Sequence, residues 1–262
     1  MTFLAGILAR KRDEVAARRA AAPDREVEAA LRDAPSPRDF AGALSPRGGP
    51  LRVVAEVKRA SPSAGAISAG LDAVAQARRY AEGGAACISV LTDGPGFGGS
   101  LEDLAAVRGA VAVPLLRKDF VVDRYQLLEA RRAGADAALL IVAALERNAL
   151  DRLHDDALAL GLAALVEVHD AREAEAALAA GARLVGVNNR DLQTFEVSVE
   201  TSFALARLAQ PGTLLVSESG LGAREQLERL AAAGFKGFLV GETLMRSDDP
   251  EAALRELTKQ GE

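Results

Sequence analysis

Eight short apolar runs, separated by segments of helical period, constrain the fold of this chain more than any other feature. They lie at 51–57, 85–91, 113–116, 137–142, 163–168, 184–187, 213–216 and 237–240. Most are continuously apolar rather than alternating, the pattern of a strand covered on both faces. Between and after them, residues 71–81, 101–109, 124–133, 147–160, 171–180, 200–209, 223–233 and 250–257 repeat apolar positions at helical spacing. Strand alternating with helix predicts βαβ units and a parallel sheet. Gly83-Gly84, Gly134, Gly161, Gly181 and Gly234 recur where a helix stops, as a left-handed terminating residue requires. One unit repeated eight times predicts an α/β chain of the (β/α)8 TIM barrel type. An open doubly wound sheet fits less well, because it would usually have fewer strands and a glycine-rich turn after the first.

The prediction is a single TIM-barrel domain over residues 1–262, with the barrel at 51–262 and an N-terminal helical extension and connector at 1–50. Leu4, Ile7, Leu8 and Val15 share one helical face, residues 24–31 suggest a further turn or two, and 35–50 reads as a Pro/Gly/Ser connector.

Composition removes several function classes. A net charge of −5 argues against a duplex-binding surface, and the absence of Trp argues against a base-stacking platform. Cys87 is the only cysteine, and His154 and His169 the only histidines, so a disulfide, a Cys-cluster metal site and a His-rich metal site are all excluded. Cys87 lies inside the second strand and reads as core; the two histidines read as surface residues or local hydrogen-bond partners. No apolar stretch is long enough to span a bilayer, and charges at 11–14 interrupt any leader-like run. The expectation is a soluble, cytoplasmic protein with no nucleic-acid or membrane partner, monomeric, and with no second enzyme fused after the last helix. Of the 32 basic residues, 27 are arginine, and lysine remains only at Lys11, Lys58, Lys118, Lys236 and Lys259. Coding bias explains the arginines. It does not explain where the lysines stay.

Active sites of such barrels are built at the carboxyl ends of the strands. Those ends carry Glu56 and Lys58, Asp93, Lys118, Glu167 and His169, Asn188 and Arg190, Glu218, and Glu242. Glu56 and Lys58 are two residues apart and share a face. Together with Lys118, Glu167, Asn188 and Glu218 they would converge in the mouth, where partial desolvation suits acid–base chemistry near neutral pH. The alternative is a structural salt-bridge ring, which six such residues at once disfavour. Ser219-Gly220 and Gly241-Glu242, after strands 7 and 8, suggest a phosphate pocket, to which Ser61 would add a hydroxyl and Arg190 a charge. The Glu242 side chain fits an anion site only if its backbone N–H faces the ligand.

The segments Glu56-Val57-Lys58-Arg59-Ala60-Ser61-Pro62-Ser63, Leu116-Arg117-Lys118-Asp119-Phe120, Leu165-Val166-Glu167-Val168-His169, Gly186-Val187-Asn188-Asn189-Arg190-Asp191, Ser217-Glu218-Ser219-Gly220 and Val240-Gly241-Glu242-Thr243-Leu244-Met245 resemble those of the indole-3-glycerol phosphate synthases. The likeness covers nearly the whole chain, each motif on its own strand and in the family's order. It implies a cofactor-free, metal-free carbon–carbon lyase of tryptophan biosynthesis. The reaction would close the ring of 1-(2-carboxyphenylamino)-1-deoxyribulose 5-phosphate with loss of carbon dioxide and water.

By the resemblance, Lys118 is the general acid, Glu167 the general base, and Lys58 holds the substrate carboxylate and is a possible second acid. Glu56 holds Lys58, while Asn188 and Glu218 orient the intermediate. Ser61, Arg190, Ser219, Gly220, Gly241 and the Glu242 backbone contact phosphate and sugar; Phe97, Phe120 and Leu139 or Leu140 line the aromatic pocket. Two departures stand out: the glycine-rich loop at 93–100, which loosens the setting of Phe97, and Arg124 where family members often have Pro at a helix start. Rival chemistries on the same fold are a sugar-phosphate isomerase, a Schiff-base aldolase using a barrel lysine, and a non-catalytic phosphate-ligand binder.

Overall fold

A computed structural model describes residues 3–45, 49–61, 65–66 and 70–259. The chain starts with helices α1 (Phe3–Ala21), α2 (Asp24–Ala30) and α3 (Phe40–Ala43). Eight strands follow: β1 (Val53–Val57), β2 (Cys87–Leu91), β3 (Leu115–Lys118), β4 (Ala137–Ile141), β5 (Ala163–Val168), β6 (Leu184–Asn188), β7 (Leu214–Glu218) and β8 (Gly237–Val240). Each pairs in parallel with its sequence neighbours, and β1 pairs with β8 to close the barrel. Between β1 and β2, Ala60–Ser61 and Gly65–Ala66 form a small antiparallel ladder.

Around the barrel lie α4 (Ala73–Glu82), α5 (Leu101–Ala110), α6 (Arg124–Arg132), α7 (Arg147–Ala159), α8 (Ala171–Ala179), α9 (Glu200–Ala206) and α10 (Arg224–Ala232), then the short α11 (Glu242–Met245) and α12 (Pro250–Thr258). Side-chain caps start several of them: Asp72, Ser100, Asp123, Asp170 and Asp249 each accept from backbone N–H groups of the first turn. Asp123 caps α6 directly before Arg124, so the helix begins without the proline.

Strand alternation splits the core into two layers. Val53, Ala55, Val90, Leu140, Val166 and Val187 face out against the helices. Val54, Cys87, Leu116, Leu139, Leu165, Val216 and Leu239 fill the interior. Cys87 is thus a core residue, its thiol pushed above its ordinary range by burial and nearby carboxylates.

The N-terminal extension holds both ends of the barrel. At the floor, the segment read as an open connector contains α3. The Asp39 carboxylate accepts from the Gly42 N–H at 2.7 Å and turns the chain, so that Phe40 and Leu44 enter the interior cluster. Local turn chemistry there overrides a Pro/Gly/Ser composition.

At the other end α1 crosses the mouth, pinned by a buried charge cluster. Lys11 is 1% exposed. Its Nζ lies 2.5 Å from Asp93 Oδ1, 2.9 Å from Asp119 Oδ1 and 3.0 Å from Glu14 Oε2. Asp93 follows β2 and Asp119 follows β3, so one ammonium ties α1 to two strand ends. Asp119 also accepts from the Thr92 hydroxyl at 2.6 Å and from Arg117 at 3.0 Å, while Arg10 donates to Asp93 at 3.0 Å. Removing one partner of such a pair leaves buried carboxylates uncompensated. Lys11→Met is therefore expected to lower stability by about 3–5 kcal/mol, read as a reduced urea midpoint at unchanged slope.

Candidate active site

A cavity of about 510 Å³ opens at the carboxyl ends of the strands. Its floor is ionic and its upper wall apolar. On the floor, Lys118 Nζ is 2.9 Å from Glu167 Oε2 and 3.3 Å from Glu218 Oε2. Asn188 Nδ2 donates to Glu167 Oε1 at 3.2 Å. Beside them, Lys58 Nζ donates to Glu56 Oε2 at 2.5 Å. Four strands thus bring Lys118, Glu167, Asn188 and Glu218 together, as their inward register predicts, with the Glu56–Lys58 pair from β1 alongside.

Two glycines make this crowding possible. A Cβ on Gly186 would collide with Glu218 Oε1, and one on Gly241 would collide with Glu56 Oε2 and come within 3.1 Å of Lys58 Nζ. The missing side chains are the space in which the carboxylates sit.

Burial opposes the charge on Lys118, but Glu167, Glu218 and Glu56 hold the ammonium well above its ordinary pKa. Burial likewise opposes ionisation of Glu167, but Lys118 and His169 hold that carboxyl well below its usual range. Glu218 goes the other way. Burial is the main cause, with Glu167 and Glu56 adding repulsion against the pull of Lys118, and its pKa is pushed up to about 8. Beyond the 3.3 Å contact of Oε2 with Lys118, neither Glu218 oxygen accepts a well-formed hydrogen bond among the described residues. One lysine serves two carboxylates, so only Glu167 ionises readily. The arrangement favours the ionised form of Glu167 and the neutral form of Glu218.

Glycine-rich turns form the opposite end of the cavity. Ser219 and Gly220 have φ of 64° and 73°, and Ser219, Gly220, Gly222, Gly241, Glu242 and Thr243 line the wall. The short α11 starts immediately after Gly241. The Glu242 carboxylate is turned to Arg246, Nε 3.0 Å away, which offsets its charge. Arg190 reaches the same cavity, its backbone N–H on Asn188 Oδ1 at 3.0 Å and its Nη1 on the Phe195 carbonyl at 3.2 Å.

Phe97, Phe120 and Leu139 line the apolar wall, with the two rings 6.0 Å apart between centroids. Leu140 is not part of it; strand alternation turns it outward into the helix layer. The glycines of the 93–100 loop do not leave Phe97 astray: the Gly98 and Gly99 N–H groups bond to the Gly94 and Asp93 carbonyls at 2.8 and 2.9 Å. The Ser61 side chain lies outside the described features.

Three parts of the site escaped the sequence reading. Phe3, Leu4 and Ile7 of α1 close the apolar wall. Their periodicity identified a helix but not what it would cover. Phe195, at φ 61°, stacks edge-on against Phe3 at 5.3 Å and completes the rim from the loop after β6. His169 is not a surface residue: its Nε2 lies 3.4 Å from Glu167 Oε1 and its Nδ1 3.0 Å from Glu173 Oε2. His169 directly follows β5, two residues after Glu167, and that spacing was the available signal. His154 is likewise buried, on the inner face of α7.

Comparison with known proteins gives this geometry its context. The family model for indole-3-glycerol phosphate synthase matches residues 4–257. The chain belongs to the indole-3-glycerol phosphate synthase family. Relatives bearing that name include one from Kineococcus radiotolerans, 51% identical over all of this chain and 96% of its own length. Another from Mycobacterium ulcerans is 49% identical over 99% of this chain and 95% of its own. Among solved structures, a 3-hexulose-6-phosphate synthase superposes with a TM-score of 0.62 at 18% identity, over 79% of this chain and 98% of its own. A thiamine phosphate pyrophosphorylase from Pyrococcus furiosus gives 0.58, also at 18%, over 79% and 93%. At that identity the two share only the barrel. No helix among the described residues is long and apolar enough to cross a membrane.

The raised pKa of Glu218 has a consequence for stability. A group whose folded pKa lies above its unfolded value contributes stability that is complete below the unfolded pKa and is lost as pH rises through the folded one. For Glu218 that window runs from the ordinary 4.5 to about 8. Glu218→Gln cannot ionise, so its melting temperature is expected to gain on the native chain across this window and to hold a constant lead above it. A lead already complete at pH 5 would contradict the assignment.

Proposed function

We propose that this chain converts 1-(2-carboxyphenylamino)-1-deoxyribulose 5-phosphate to indole-3-glycerol phosphate, as a decarboxylating lyase of tryptophan biosynthesis. The observation that carries this reading is the Lys118–Glu167 pair, its Nζ and Oε2 2.9 Å apart on the floor of a cavity with an apolar wall at one side and glycine-rich turns at the other. That division matches a substrate with an aromatic ring at one end and a phosphate at the other.

The chemistry follows the arrangement. The phosphate sits against Ser219, Gly220, Gly241 and the Glu242 backbone, with Arg190 beside it; the start of α11 has no side-chain cap, which suits its charge. The anthranilate ring packs among Phe97, Phe120 and Leu139, with Leu4 and Ile7 above. Lys58, steadied by Glu56, takes the ring carboxylate. In the first step the ring carbon bearing the carboxylate attacks the ketone carbon, and Lys118 protonates the ketone oxygen as it becomes a hydroxyl. Carbon dioxide then leaves and its bonding electrons restore the aromatic ring. In the last step the hydroxyl departs as water, protonated by Lys118 or Lys58, while Glu167 removes a proton from the adjacent methylene carbon. Asn188 fixes Glu167 through its 3.2 Å hydrogen bond. The neutral Glu218 carboxyl donates a hydrogen bond to the migrating oxygen.

Indole fluorescence on adding the substrate tests the reading. Lys118→Met and Glu167→Gln are each expected to lose about 10²–10⁴ in kcat, whereas Lys58→Met should raise KM as well. An inactive native chain, or full turnover in either of the first two variants, would contradict it. A reduced adduct on Lys118 or Lys58 after borohydride treatment with a carbonyl substrate would point instead to Schiff-base chemistry.

A further inference from the structure

The reaction proposed above takes up one proton per turnover, and this inference rests on that reading. The substrate's aryl carboxylate leaves as neutral carbon dioxide, so the products carry one negative charge fewer. The balance closes at the departing water. Its oxygen is the former ketone oxygen; one of its two protons replaces that taken from the methylene carbon, and the other comes from solvent. Lys118 and Glu167 therefore need a proton from outside in every cycle. Both lie on the cavity floor, which bound substrate covers.

A route from behind is present. Glu167 Oε2 faces Lys118, and its other oxygen, Oε1, lies 3.4 Å from His169 Nε2. His169 Nδ1 is 3.0 Å from Glu173 Oε2, and the same oxygen accepts the His169 backbone N–H at 2.8 Å. Glu173 lies in the first turn of α8, outside the barrel wall, with its side chain partly exposed. His169 does not line the substrate cavity. Its Nε2 has no full hydrogen bond among the described residues. The charged groups acting on it are Glu167 from β5, Glu173 from α8 and Asp191 from the loop after β6. All three are acidic, so the ring readily takes a proton.

We infer that His169 and Glu173 form a proton-entry path that recharges the Glu167–Lys118 pair from the helix side of the barrel. In the transfer, the His169 Nε2–H bond breaks as a Glu167 Oε1–H bond forms. The Glu167 proton passes to Lys118 after that lysine has given its own to the leaving oxygen. The ring starts neutral with its proton on Nε2; as that proton leaves, Nδ1 takes one relayed from solvent through Glu173, and the ring, now carrying its proton on Nδ1, returns to the Nε2–H form by tautomer exchange before the next cycle. No other reactant is needed. His169 touches neither substrate nor reacting atoms; it acts through Glu167.

The test compares the first turnover with later ones. His169→Asn and Glu173→Gln are mixed in excess with the substrate for a single turnover, then assayed at steady state across pH 6–9. The expected result is a first turnover near the native rate and a steady-state kcat lower by about tenfold, less than the loss for a group that touches substrate. The deficit should widen as pH rises, and added imidazole should repair it in His169→Asn. Native steady-state rates in both variants would overturn the path. So would equal losses in the first and later turnovers without imidazole rescue, which would make His169 only a support for Glu167. Glu167→Gln, run in parallel, separates the two readings: if it stays active the proposed base is wrong, and if it fails while His169→Asn is unimpaired only the entry path falls.

Discussion

A single ammonium shared between two buried carboxylates organises the mouth of this barrel. Lys118 meets Glu167 at 2.9 Å and Glu218 at 3.3 Å where water is largely excluded. Bringing all three groups inside carries a desolvation cost that their attraction only partly offsets. The shared proton count then decides their states. One positive charge stabilises one negative charge well and a second poorly, so Glu167 is pushed toward its ionised form and Glu218 toward its neutral one. Strand alternation aims the side chains, Gly186 leaves room for one of them, and Asn188 orients another. A leucine at any of the charged positions would sit more comfortably in the fold. Their presence is a departure from good packing that chemistry explains and folding does not.

The second buried cation answers the question raised by the lysine positions. Lys58 and Lys118 face the cavity, where an always-protonated guanidinium would be a poor proton donor. Lys11 is different. It is sealed between Asp93, Asp119 and Glu14, and no proton needs to move there. A compact ammonium with three donors in any direction meets three carboxylates from separate elements; the planar fork of arginine matches one carboxylate at a time. Where the cation pairs chiefly with one carboxylate, arginine serves even in full burial, as in the Arg117–Asp119 and Arg108–Asp136 pairs. Lys236 and Lys259 are exposed and need no such account. Under the proposed mechanism lysine serves proton transfer at two positions; at a third it serves close-range geometry.

The eight-fold alternation made the barrel legible because both of its periods are local. The strand ends were legible for the same reason: a continuous apolar run passing into Glu, Lys or Asn marks where the chain leaves the core, and inward register follows by counting twos. What stayed hidden depends on contacts between distant segments. The helical face of Leu4 and Ile7 was visible, but not that it would roof the cavity. The 35–50 segment has a loop's composition, yet Asp39 turns it into a plug of Phe40 and Leu44. Leu139 and Leu140 were indistinguishable until the strand's facing was fixed, which put one in the cavity and the other under the helices. His169 looked like a polar residue leaving a strand; only the position of Glu173, one helical turn further on, shows that its ring is held between two carboxylates.

The arrangement of protons also gives the site its direction. If Lys118 stood beside Glu167 alone, the pair would be a neutral salt bridge with little tendency to act on a substrate. Glu218 changes that. Its neutral carboxyl can both donate and accept, so the former ketone oxygen can stay bound as it passes from carbonyl to hydroxyl to water. Each proton Lys118 gives up leaves Glu167 less stabilised and more basic, because the same ammonium held that carboxylate's pKa down. Under the proposed mechanism, donation by Lys118 would therefore strengthen Glu167 as a base at the step that uses it. Coupling of this kind requires the two groups to share one desolvated contact, and it would weaken if water separated them.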